Sequence, residues 1–273
     1  MRKVNKDFSN PPGSLTLEIT NRLREEIISK KKYPSREKKY EERYKKEDIK
    51  EALRGIYSDK CAYCEKSISD TYFHIDHYRP KSIYYWQVYS WDNLLLCCEK
   101  CNTIKRNKFE IEAGKRVEFE KKDLDHIHNL TVKYNEVEKP LMVNPGLDDI
   151  GDLLVFEIET GSIKSGDYRC QYTIDACRLD RKEANNNRKK IWDDFYKKVI
   201  ETFYVLSVYK KHFEENRIDV NNFESKYNKE INKLETLIEY FKEAASDSNR
   251  EYLSFRRYII KNHTLFAIFF KRQ

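Results

Sequence analysis

At 273 residues the chain is long enough for a core of its own, and its low Gly and Pro with abundant Lys, Glu, Asn and Tyr favour a helical protein over a glycine-rich β fold. Its net charge of +7, with 36% charged residues, suits a polyanionic partner without identifying one. The polar start Met1-Arg-Lys-Val-Asn-Lys6 argues against a secretory signal, and the longest apolar run, residues 265–270, is far short of the roughly 20 residues of a membrane span, so a soluble cytoplasmic chain is expected.

Asn10-Pro11-Pro12-Gly13 predicts an extended arm over residues 1–16, followed by a first helix over 17–29. Residues 30–46 hold nine Lys/Arg against three Glu, a surplus of six that suits either a solvated helix face or contact with phosphates. A second helix over 45–57, with Ile49, Leu53 and Ile56 on one face, delivers the chain to Cys61.

Between Cys61 and Asn102 the chemistry is concentrated. Cys61-Ala-Tyr-Cys64 and Cys98-Glu-Lys-Cys101 are two short knuckles at a spacing that suits tetrahedral zinc, and cysteines in a reducing compartment ligate metals rather than pair as disulfides. Cys97 competes with Cys98, but Cys98 keeps the two-residue spacing to Cys101. Four thiolates close the zinc tetrahedron, so this zinc is structural. Between the knuckles lies His74-Ile-Asp76-His77-Tyr-Arg79-Pro-Lys81, and Asn102 follows the last thiolate. A carboxylate and an amide oxygen are hard ligands fit for Mg²⁺ or Mn²⁺, which leaves His77 as a general base and makes Asp76 and Asn102 candidate ligands of a second, catalytic ion. The segment reads as knuckle, short strand (73–76), loop, short strand, knuckle and a helix over 98–108 whose first turn presents Asn102. Arg79, Lys81 and Lys105 are candidate nucleic-acid contacts or else solvated charges. His74 packs or joins the metal, and Trp86 and Trp91 pack beside the motif or stack on a nucleic-acid base.

Residues 111–140 are polar and ambiguous, and residues 141–164 suggest a small hairpin. The remainder is helical. Asp180 with Glu183, and Asn221 with Glu224, look like capping boxes. The stripes Ile191, Phe195, Val199, Phe203, Leu206 and Phe223, Tyr227, Ile231, Leu234, Ile238, Phe241 are core or partner surface, and a last helix falls near 251–261. Cys170 and Cys177 read as small core residues, and His126, His128, His212 and His263 as surface or capped histidines. The expected organisation is an N-terminal arm and helices (1–58), a zinc-bearing core (59–110), a linker with a hairpin (111–165) and a helical region (166–273).

The central residues resemble the HNH, or ββα-metal, endonucleases of the zinc-containing kind. The resemblance gives His77 the role of general base, Asn93 that of steadying the loop that aims it, and Asn102 with Asp76 that of holding the catalytic ion. The last position departs from a literal His, and Asn there still offers an oxygen. The wider wording, from Tyr57-Ser-Asp-Lys-Cys61 through Asp76-His77-Tyr-Arg-Pro-Lys81 and Trp91-Asp-Asn-Leu-Leu95 to Val143-Asn-Pro145, is similar to the HNH nuclease subunit of Septu-type anti-phage defence systems, which also accompanies some retrons. That resemblance implies an α+β, mainly helical fold around a zinc-stapled ββα core. It also implies cleavage of nucleic acid, DNA in the first instance, to 5′-phosphate and 3′-hydroxyl ends, and a separate ATPase subunit as partner. The chain's own sequence holds no Gly-x-x-x-x-Gly-Lys-Ser/Thr loop. The competing readings are a zinc-ribbon binding module without catalysis and an adaptor that docks through its helical half. The apolar run at 265–270 either folds back on the Phe223 to Phe241 stripe or is covered by another chain, and the resemblance favours the ATPase.

Overall fold

Along residues 1–12 the chain forms no helix or strand, and Val4 and Lys6 are buried while Lys3, Asn5 and Asp7 face solvent, the alternation of an extended segment. The structure, a computed structural model, describes residues 1–270, with side chains described for residues 1–267. It is α+β and mainly helical. Two units emerge from the packing: residues 1–154 with 164–180, and residues 155–163 with 181 onward.

The first unit begins with α1 (Gly13–Thr16), α2 (Glu18–Lys30), α3 (Lys38–Tyr44) and α4 (Glu47–Tyr57). Helix α4 buries Ile49, Leu53 and Tyr57 on one face and ends at Ser58 in the left-handed conformation, which releases the chain into the first knuckle. Much of the basic run is consumed locally: Lys39 pairs with Glu26 at 2.9 Å, Lys45 with Glu41 at 2.5 Å, and the buried Arg43 donates to the Ser14 carbonyl at 2.6 Å.

Strands β1 (Phe73–His77) and β2 (Leu94–Cys98) pair antiparallel, with Phe73 opposite Cys98 and His77 opposite Leu94. Helix α5 (Glu99–Lys105) follows directly, and Cys98 is its N-cap, its Sγ accepting from the Cys101 amide at 3.5 Å. The loop between the strands, residues 78–93, contains two 3-10 turns (Tyr85–Gln87 and Trp91–Asn93) and is pinned by the buried rings of Tyr78, Tyr84, Trp86, Tyr89 and Trp91. The stretch at 111–140 resolves into a 3-10 turn (Lys121–His126) and α6 (Thr131–Glu138). A two-stranded sheet of β3 (Leu154–Glu157) and β4 (Ser162–Ser165) leads to α7 (Tyr168–Ala176), beside which Cys170 and Cys177 are buried as small core residues.

In the second unit α8 (Lys182–Glu214) packs against α9 (Val220–Ser246), with α10 (Leu253–Asn262) and α11 (Thr264–Phe270) following. Trp192, Phe195, Val199, Thr202 and Leu206 of α8 and Leu234, Ile238 and Phe241 of α9 are buried. Phe203, expected in the stripe, is 43% exposed, because 3.6 residues per turn carries the face through Thr202 instead. The helix starts are displaced from the expected boxes. Arg181 is the N-cap of α8, and Asp219 caps α9 by accepting from Asn222 N at 2.9 Å. The run at 265–270 folds back as far as it is described: Leu265 and Phe266 are buried, with the Phe266 ring 5.5 Å from Phe241 and 5.7 Å from Phe195. The expectation that this tail is a docking surface is therefore corrected for Leu265 and Phe266, while the side chains of residues 268–270 lie outside the described residues. Among the described residues no helix is long and apolar enough to cross a membrane.

Candidate active site

The two knuckles converge because β2 returns the chain alongside β1 and feeds α5. Cys61, Cys64, Cys98 and Cys101 are buried, and their sulfurs lie within 4.8 Å of one another. Zn–S bonds of about 2.3 Å in a tetrahedron put sulfurs roughly 3.8 Å apart. The Cys64 and Cys98 sulfurs are 3.8 Å apart, so the cluster fits the ion. Cys97 approaches Cys61 at 3.9 Å, but it is Cys98 that belongs to the mutual cluster, as the spacing predicts.

His77 closes β1, and its position follows from the loop behind it. The Asn93 side chain is fully buried. Its Oδ1 accepts from Arg79 N at 2.7 Å, while its Nδ2 donates to the carbonyls of Arg79 (3.1 Å) and Gln87 (3.3 Å). The Asn93 carbonyl also accepts from Tyr78 N at 2.9 Å. One amide thus ties both ends of the loop together and fixes Val88, whose carbonyl lies 3.0 Å from His77 Nε2. A carbonyl only accepts, so Nε2 carries the proton and Nδ1 is left with a lone pair. Tyr44 meets the imidazole edge-on at 4.7 Å. Burial, reinforced by the nearby Lys81, holds the His77 pKa well below the usual value, so the ring is neutral at neutral pH.

A cleft of about 420 Å³ opens beside this ring, lined by Asp76, His77, Lys81 and Asn102 together with His74, Lys45 and Arg106. Asp76 is nearly buried. Tyr63 donates to its Oδ2 at 2.9 Å, and the Lys105 ammonium lies 3.1 Å from Oδ2 and 3.3 Å from Oδ1. A carboxylate offers about four lone-pair sites, so these partners fix Asp76 without exhausting it. An amide oxygen and a carboxylate lining one cleft are the donor types that suit a hard divalent ion such as Mg²⁺ or Mn²⁺, which takes few protein ligands and keeps several waters.

Two of the candidate nucleic-acid contacts are corrected. Arg79 is fully buried, with Nε 3.0 Å from Glu138 Oε2 and Nη2 2.6 Å from Asn135 Oδ1. Lys105 is likewise fully buried and donates to the His77 carbonyl at 2.7 Å as well as to Asp76. Both charges are internal struts, and neither reaches a phosphate without leaving its partner. Lys81 does line the cleft, its Nζ 2.6 Å from Tyr44 Oη. Tyr44, Tyr63 and Arg106 were not singled out in the sequence. Tyr63 had a signal, lying inside the first knuckle, and so had Lys45, lying in the basic run.

Residues 61–108, which hold the paired β1–β2, the following helix α5 and the four-cysteine cluster, match the HNH endonuclease family model. The chain thus carries an HNH endonuclease domain at residues 61–108, which supports nuclease, that is phosphodiester hydrolase, activity. It is similar to the Septu protein PtuB of Bacillus mycoides strain KBAB4, 29% identical over 231 residues that cover 77% of this chain and 72% of that one. It is also similar to the Septu protein PtuB of Bacillus thuringiensis, 39% identical over 56 residues that cover 20% and 22% of the two chains. No solved structure matches the chain at a significant level.

Proposed function

We propose that the chain is the nuclease effector of a Septu-type anti-phage defence system and hydrolyses phosphodiester bonds of nucleic acid, DNA in the first instance. The observation that carries the chemistry is the His77 Nε2 to Val88 carbonyl contact at 3.0 Å, beside a cleft shared with Asp76 and Asn102. His77 Nδ1 takes a proton from water as that water attacks phosphorus in line, and the 3′ oxygen leaves with the P–O bonding pair and takes a proton from solvent to become the 3′-hydroxyl. Lys81 at the cleft offsets phosphate charge. Asp76 and Asn102 would hold a divalent cation, which when bound would supply Lewis-acid stabilisation of the developing negative charge. The zinc held by Cys61, Cys64, Cys98 and Cys101 takes no part in the reaction and staples the two strands to α5. The partner is a separate ATPase subunit, and the protein works in the cytoplasm.

The test is incubation of purified protein with plasmid DNA and with tRNA, with and without Mg²⁺ or Mn²⁺. Metal-dependent loss of supercoiled plasmid to products with 5′-phosphate ends is expected. Intact plasmid and intact tRNA under every metal condition, in the presence of the partner as well as alone, would refute the reading.

A further inference from the structure

Lys6 is an unusual residue to find inside the nuclease unit. It lies on the N-terminal arm, 6% exposed, and its Nζ reaches the Trp91 carbonyl at 2.7 Å and the Leu94 carbonyl at 2.5 Å. The same ammonium lies 3.8 Å from the Trp91 ring, and Trp91 Nε1 donates back to the Asp7 carbonyl at 3.0 Å. Burying a lysine costs several kcal/mol unless its donors are used and its charge is compensated. Here two carbonyls, an aromatic face and the buried Asp92 carboxylate offset part of that cost, while burial still pulls the Lys6 pKa down to about 7.

What Lys6 grips is informative. Trp91 and Leu94 flank Asn93, the residue that ties the loop to Arg79 and Gln87, and Leu94 is the cross-strand partner of His77. The connection from the ammonium to the imidazole is short: Lys6 to the Trp91–Asn93 turn, Asn93 to Gln87, and Val88 next in sequence to His77 Nε2. Asn93 holds the loop from within, while Lys6 holds its turn from the N-terminal arm.

We propose that Lys6 is a positioning residue for the His77 site, clamping the Asn93 turn so that the Val88 carbonyl keeps the imidazole aimed at the cleft. The proposal rests on the reading of His77 as general base. Its consequence is that the N-terminal arm is part of the catalytic apparatus without touching substrate, since a displacement of about 1 Å at a general base costs up to a hundredfold in rate.

Full-length wild type, Lys6→Met and Lys6→Arg are compared for zinc content, for kcat and KM on a DNA substrate, and for amide hydrogen exchange at Tyr78 and Arg79, whose N–H groups Asn93 accepts. Lys6→Met is expected to keep its zinc and a KM within about twofold while kcat falls by roughly tenfold or more and both amides exchange faster. Lys6→Arg, which also donates to two carbonyls, is expected to recover most of the lost kcat. A Lys6→Met kcat within twofold of wild type, or a loss shared equally between KM and zinc content, overturns the proposal. If Lys6→Met does not fold, Lys6→Gln takes its place, with the same outcomes decisive. If wild type itself cuts no nucleic acid, the nuclease mechanism fails, and the exchange rates alone decide the clamp: unchanged protection at Tyr78 and Arg79 refutes it.

Discussion

At the scale of single residues, the site depends on side chains that hold other side chains. Trp91 shows this well: its carbonyl takes the Lys6 ammonium, and its amide donates to His128 Nδ1 at 3.2 Å. An accepting Nδ1 requires a neutral ring, and burial, helped by the Arg24 charge, pulls the His128 pKa from 6.5 down to about 4. A histidine whose folded pKa lies below its unfolded one binds more protons unfolded. Its stabilisation is complete above pH 6.5 and is lost as pH falls toward 4. Denaturant titrations should show stability falling across that window by on the order of 2 kcal/mol, after discount for partial exposure, with a shallower slope in His128→Gln. Equal slopes would show that His128 is not held neutral.

At the scale of elements, β1, β2 and α5 are each five to seven residues long and are joined through the thiolates. Structural zinc contributes on the order of 10 kcal/mol in small sites. Cys64→Ser is therefore expected to lower zinc below one per chain and to reduce the melting temperature steeply; unchanged metal content and melting would contradict the cluster. Helix α6 is tied to the loop by a second strut, Glu138, whose carboxylate meets Arg79, Tyr84 Oη at 2.6 Å and Val117 N at 3.0 Å. Glu138→Ala strands the buried Arg79 charge and should cost about 3–5 kcal/mol by equilibrium unfolding; a loss under about 1 kcal/mol would show the pair is dispensable. These struts also mark where the sequence stops being readable. The knuckles, the Asp76-His77 step, Asn93 and Asn102 were legible because ligand spacing and motif chemistry are local. Arg79 and Lys105 were misread because a cation looks solvated until its partner is known. Glu138 lies 59 residues from Arg79, and Asp76 lies 29 from Lys105. Lys6 had no local signal at all, since its partners lie 85 and 88 residues away.

At the scale of the whole molecule, the nuclease unit gathers every residue of the proposed site, from Tyr44 to Arg106, within residues 1–154. The second unit is built on the α8 and α9 stripes, whose existence was plain from three- and four-residue steps even where the caps and Phe203 were not. Its α8 leaves Tyr196, Ile200, Phe203 and Tyr204 exposed beside the buried face, while Phe266 belongs to the core. The central claim concerns the first unit: a neutral His77, aimed by Val88 through Asn93, is the general base. The measurement that tests it most directly is the single-turnover cleavage rate of His77→Ala in Mg²⁺ or Mn²⁺, alongside its zinc content and melting temperature. The expected result is a rate lower by roughly 10²–10⁴ with zinc and melting unchanged, and a rate within a few-fold of wild type would contradict the account.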